Sequence, residues 1–171
     1  HTTFGGAHVS AIRVSNVVLF VQRAKRKIRE FVYRFESDTY VAPDLNLLSD
    51  HITKTGIVHF DYQQEPHSVL WCVTTDGTLI GLTYQRDQEV IAWHRHILGG
   101  SGNAAGEQAQ VESVAVIPGT AADGAGVDEI YVSVKRYVNS AERRHIERIT
   151  TGLDLDASIE SSFFVDSGLT L

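Results

Sequence analysis

At least nine short runs of β-branched and aromatic residues follow one another along this chain: AHVSAIRV, VVLFVQR, KIREFVYRF, GIVHFDYQ, SVLWCVTT, GTLIGLTYQ, EVIAWHRHI, QVESVAVI, DEIYVSVKRYV and RRHIERIT. Each is bounded by turn formers, so the chain reads as mainly β with antiparallel neighbours. The clearest hairpin lies at Asp76-Gly77, where a type I′ turn is expected because Asp-Gly tolerates positive φ. One short helix is expected over residues 43–54. Pro43 suits its first turn, Leu45, Leu48 and Ile52 fall on one face, and Gly56 can close it.

Three of the runs superpose without gaps: Val17 to Arg23 (VVLFVQR), Val69 to Thr75 (VLWCVTT) and Ile130 to Arg136 (IYVSVKR). All three are apolar at the first position and carry valine at the fifth, as Val21, Val73 and Val134. A second strand follows each after a short turn. The repeat defines units of about 7–35, 56–98 and 110–150 within a single β-rich region spanning 1–171. Strand-turn-strand repeats near 50 residues point to antiparallel β-blades, as in part of a β-propeller. A β-sandwich is the alternative. The Gly/Ala-rich stretches at 99–107 and 118–126 read as flexible connections at sheet edges.

Composition narrows the function classes. With 15 Lys and Arg against 21 Asp and Glu, net charge is -6, which argues against specific nucleic-acid binding. The one basic cluster, Arg23, Lys25, Arg26 and Lys27, falls where a hairpin tip belongs. A tip keeps such charge hydrated, or offers it to an acidic partner. No apolar run reaches the ~20 residues of a membrane-spanning helix. A single cysteine, Cys72, excludes an intramolecular disulfide and sits in a strand, where a thiol is usually an inert small hydrophobe. Methionine is absent even from the first position, and the chain stops on FFVDSGLTL, so an internal fragment of a larger protein is expected.

Catalytic signals are sparse. His94 and His96 share one face of their strand by period two, and His59 and Asp61 share one face of theirs. If both strands border one sheet, the four could hold zinc or iron. Cross-strand packing of isolated histidines is the commoner arrangement. No Gly-x-Ser-x-Gly elbow, phosphate-binding loop or calcium loop is present; Asp154 and Asp156 lack the glycine and terminal glutamate the last requires. The expectation is therefore no enzyme, no cofactor and no metal. Tyr62, Trp71, Tyr84 and Trp93 are candidate stacking platforms for carbohydrate.

VLFVQRAKRKIREFVYRFESDTYVAPDLNLLSDHI, GIVHFDYQQEPHSVLWCVTTDGTLIGLTYQRDQEVIAWHRH, VESVAVIPG and DEIYVSVKRYVNSAERRHIERI resemble, in collinear order over roughly residues 14–168, structural proteins of tailed bacteriophages and prophages. These are related to the tail nozzle, or tail tubular protein B, of short-tailed phages. LWCVTTDGTLIGLTYQRDQEVIAWHRH is the most telling block. The resemblance implies a non-enzymatic virion component with propeller-like blades, assembled in the bacterial host cytoplasm. Its implied partners are other tail subunits, with a ring homo-oligomer in the full-length protein, and the bacterial surface. It supplies no active-site residues.

Overall fold

A computed structural model describes residues 4–47, 49–120 and 126–150. It is mainly β, in three antiparallel sheets, each drawn from one continuous stretch of chain. The first sheet has the order β1 (Ile12–Val14), β2 (Val17–Val21), β3 (Ile28–Arg34) and β4 (Thr39–Val41). The second repeats that meander with β5 (Ile57–Gln63), β6 (Val69–Thr74), β7 (Leu79–Gln85) and β8 (Val90–His96). The third places β10 (Gly126–Val138) between β9 (Gln110–Thr120) and β11 (Ala141–Ile149). In both four-stranded sheets a 3₁₀ turn links the last two strands, Phe35–Ser37 and Arg86–Gln88. Each turn is followed by a residue at positive φ, Asp38 or Glu89.

The sheets stack face to face with the second in the middle. One of its faces, with Phe60, Leu70, Cys72, Ile80, Leu82 and Tyr84, packs against Val14, Leu19, Ile28 and Val32 of the first sheet. Its other face, with Val69, Trp71, Val73 and Leu79, packs against Val111, Val114, Ile130, Val132 and Val134 of the third. This is why β6 is buried at every position instead of alternating: a strand covered on both sides must be apolar on both. The superposed valines Val21, Val73 and Val134 are all core residues. Burying one such side chain contributes about 1.5–3 kcal/mol.

Cys72 lies in this middle layer, 0% exposed, and burial pushes its thiol pKa well above the ordinary range. Thiolate, not thiol, is the reactive form. The native protein should therefore resist a thiol-specific reagent over hours, and unfolded protein should label at one equivalent per chain. Rapid labelling of native protein would contradict the packing.

First strands lie side by side, β1 against β5 and β5 against β9. Polar side chains tie the layers. Buried Glu30 on β3 accepts from the Tyr84 hydroxyl at 2.8 Å and pairs with Arg86 at 3.0 Å. Burial, then the Glu30 carboxylate, raises the Tyr84 pKa. Asp128 Oδ2 accepts from the backbone N–H groups of Gln64 and Glu65, joining the third sheet to the β5–β6 turn.

Three expectations change. The helix over 43–54 is not seen among its described residues: bonds reaching three residues back, from Ser49 to Asn46, Ile52 to Ser49 and Gly56 to Thr53, make separate turns. The segment instead extends the first sheet. The Pro43 carbonyl accepts from Glu30 N–H, and the buried Asn46 side chain accepts from Ile28 N–H at 2.8 Å while donating to Thr53. Those tertiary bonds outweigh a local helix preference of tenths of a kcal/mol per residue. Leu45 and Ile52 still reach the core, and Leu48 lies outside the described residues.

Second, Gly77 has φ +80° but Asp76 is not at positive φ, and Gly77 N–H bonds the Thr74 carbonyl. That is a turn followed by a left-handed glycine, not type I′. The two-residue connection with both φ values positive is Asn139–Ser140, at 51° and 61°. Third, the 99–107 connection is anchored: Tyr137 N–H bonds the Ser101 carbonyl, Arg136 bonds the Gly99 carbonyl, and Ser101 bridges to Gln108. In the 118–126 stretch, Pro118 to Thr120 belong to β9 and Gly126 to β10; residues 121–125, like Asp154 and Asp156, lie outside the described residues.

Candidate functional site

Register places His59, Asp61, His94 and His96 on one face of the second sheet. His59 is opposite Val73, Asp61 opposite Trp71, His94 opposite Gly81 and His96 opposite Leu79. They do not converge. β5 and β8 are opposite edges of the sheet, three strand spacings apart, or about 14 Å. Trp71, Val73, Leu79 and Gly81 occupy the strands between. Among the described residues no group of three or more His, Cys, Asp or Glu could hold a metal ion.

Each pair has its own structural work. Asp61 Oδ2 accepts from Val116 N–H at 2.7 Å, and His59 Nδ1 accepts from Val114 N–H at 3.5 Å. Both donors belong to the free edge of β9, whose ladder partner is β10, so β5 side chains satisfy an edge that would otherwise invite another strand.

His94 Nδ1 and His96 Nε2 lie 2.6 Å apart, and His94 Nε2 is 3.3 Å from the Thr83 hydroxyl. The rings sit against Trp71, with centroids 6.0 Å and 4.8 Å away. Gly81 is what admits them, because a Cβ there would overlap the His94 imidazole. The groups met on β6 and β7 are Trp71, Gly81 and Thr83, none charged. Burial lowers both imidazole pKa values, and His94 lowers that of His96 further.

A depressed folded pKa means that protons favour the unfolded chain. The contribution of the pair is complete above about pH 6.5 and is lost as pH falls from there through the folded values. The urea midpoint of the native chain should therefore drop more between pH 7.5 and pH 5 than that of His94→Gln/His96→Gln. Equal drops would contradict this assignment.

The four proposed stacking aromatics are committed to packing. Trp71 is buried and donates to Gln63 Oε1 at 2.9 Å. Tyr84 is buried on Glu30, Trp93 donates to the Leu45 carbonyl at 3.0 Å, and the Tyr62 hydroxyl meets Ser68 at 2.9 Å. Ile97, which continues the β8 sequence, is 70% exposed. A cleft of about 330 Å³ between the β1–β2 and β7–β8 turns is lined by Asn16, Tyr62, Ser68, Tyr84 and Arg86. Its polar groups bond one another, Arg86 to Asn16 and Tyr62 to Ser68.

The exposed aromatic surface is elsewhere, on the outer face of the first sheet. Ile28, Glu30 and Val32 point inward, so Arg29, Phe31 and Tyr33 point out. Register sets Val18 beside Phe31 and Tyr40 beside Tyr33. Phe31 and Tyr40 stack in parallel at 4.9 Å, Tyr33 meets Tyr40 edge-on at 5.2 Å, and Phe4 lies over the Arg29 guanidinium at 3.5 Å. Tyr40 is 56% exposed. The opposite end of the stack, the outer face of the third sheet, mixes exposed Ile117 and Ile146 with two ion pairs, Arg144 with Glu112 and Arg148 with Glu129.

Basic side chains predominate at one end of the strands and acidic ones at the other, with Asp76 exposed at the first and Arg34 and Arg86 at the second. Arg23, Lys25 and Arg26 are exposed on the β2–β3 hairpin, as expected of a tip, while Lys27 pairs with Asp44 at 2.5 Å. Lys54 and Arg95 lie at the same end. Glu36, Asp38, Glu65, Asp87 and Glu89 are exposed on the turns at the other end of the strands.

Compared with protein-family models and with curated proteins, the chain matches none.

Proposed function

We propose that this chain is a structural component of a bacteriophage tail, a scaffold and subunit-contact module of a nozzle-like distal assembly in the virion. The reading rests on the collinear resemblance, and the observation that carries it is the outer face of the first sheet. The core faces of the three sheets pack against one another, while this outer face leaves Phe31, Tyr33 and Tyr40 in a contiguous aromatic surface. Such patches mark contact sites. The occupant is a neighbouring tail subunit, with the anchored loop at 99–107 and the charged turns as additional contacts. Assembly takes place in the host cytoplasm, and the work is mechanical: no chemistry is assigned to the chain.

Electron microscopy of the polypeptide encoded by the complete gene tests this. Rings are the expected result, and a stable monomer at high concentration would contradict it. In that polypeptide Phe31→Asp/Tyr40→Asp should reduce ring yield at least tenfold while the chain stays folded by circular dichroism, because both side chains stand on the solvent face. Unchanged rings would remove this face from the interface.

The same aromatic surface favours a second reading, attachment to carbohydrate on a bacterial surface. A glycan array with no Tyr40-dependent binding would end it.

A further inference from the structure

We propose that His94 and His96 form a two-point chelate for one divalent transition-metal ion of the zinc, nickel and copper group. The two residues are adjacent on one face of β8, an edge strand of the second sheet. Their nitrogens Nδ1 of His94 and Nε2 of His96 point at each other across 2.6 Å. In the metal-free pair one of these nitrogens must carry the hydrogen and the other accept it. A cation replaces that hydrogen bond, held by two imidazole nitrogens at about 2.0–2.1 Å each, for which the nitrogens move apart to roughly 2.9–3.4 Å and the rings turn so that both lone pairs face the ion.

The hydrogen balance is complete within the pair. With the His94 Nε2 hydrogen directed to Thr83 Oγ1 at 3.3 Å, His94 Nδ1 already holds a free lone pair. His96 moves its hydrogen from Nε2 to Nδ1, and no proton need leave. Imidazole ligands suit zinc, copper and nickel over magnesium or calcium. Both rings are part-exposed on an edge strand, so water completes the coordination. The niche is shaped by the chain itself: Gly81 makes room for the His94 ring, and Trp71 backs both imidazoles. This site is separate from the four-residue cluster, since His59 and Asp61 stay on the opposite edge, and it does not depend on a tail role.

Trp71 supplies the readout, because its ring centroid lies 4.8 Å from that of His96. In a Trp93→Phe background, titration with Cu²⁺ should quench Trp71 fluorescence saturably at one equivalent, and excess Zn²⁺ should restore it. His94→Gln and His96→Gln, each checked for a native circular dichroism spectrum, should each weaken the saturable quenching at least tenfold. If either variant fails to fold, Zn²⁺ should still raise the melting temperature of the parent protein, and Mg²⁺ should not. Absence of saturable quenching, or quenching that survives in both folded variants, overturns the proposal, as does a parent melting temperature indifferent to Zn²⁺.

Discussion

Arg136→Met should destabilise the chain by about 3 kcal/mol or more, seen as a lower urea midpoint with an unchanged slope. Arg136 is 7% exposed and follows Ile130, Val132 and Val134 on the inward face of β10, where period two forces the next inward position to be 136. Its guanidinium grips Glu147 of β11 bidentately, at 2.5 and 2.7 Å, and donates to the Gly99 carbonyl at 2.5 Å. One side chain thus joins two strands to the 99–107 connection. Removing it leaves a largely enclosed carboxylate without its cation, which is why breaking such a pair costs more than the pair itself contributes. Arg136→Met/Glu147→Leu should therefore recover much of the loss, since neither charge remains to be solvated. A double variant as unstable as the single one would show that the Gly99 bond, not the ion pair, carries the effect.

Trp71→Ala should cost about 3–5 kcal/mol. Trp71 sits in the cluster shared by the second and third sheets, its indole N–H satisfied by buried Gln63 and its ring edges covered by His94 and His96. The truncation opens a cavity in the middle layer and orphans the Gln63 acceptor, so both the transfer and hydrogen-bond contributions are lost. Trp71→Phe keeps most of the volume and should cost clearly less. Equal losses for the two would place the stability in the indole hydrogen bond instead of the packing.

How far sequence alone reaches is clear from particular residues. Alternation correctly put His94 and His96 on one face and His59 and Asp61 on one face, and register put all four on the same face. Period two says nothing about how many strands lie between, and two intervening strands separate a metal site from two pairs with different work. Likewise, alternation in KIREFVYRF sorts Phe31 and Tyr33 from Ile28 and Val32, but which set is buried depends on which set meets the second sheet. The aromatic surface was therefore not legible, and Trp71 and Trp93 drew the attention instead. The one usable signal was Glu30, a carboxylate on the aliphatic face, whose partners Tyr84 and Arg86 lie in another sheet. Asn46 explains the missing helix in the same terms: its side chain bonds a strand 18 residues earlier, a contact that local periodicity cannot register.

The central claim, a structural role in a phage tail, is tested most directly by immunogold electron microscopy of purified particles from the host that carries the gene, using antibody against this chain. The account predicts label confined to the distal tail. Particles that remain unlabelled while the same antibody detects the chain in the producing cells would contradict it.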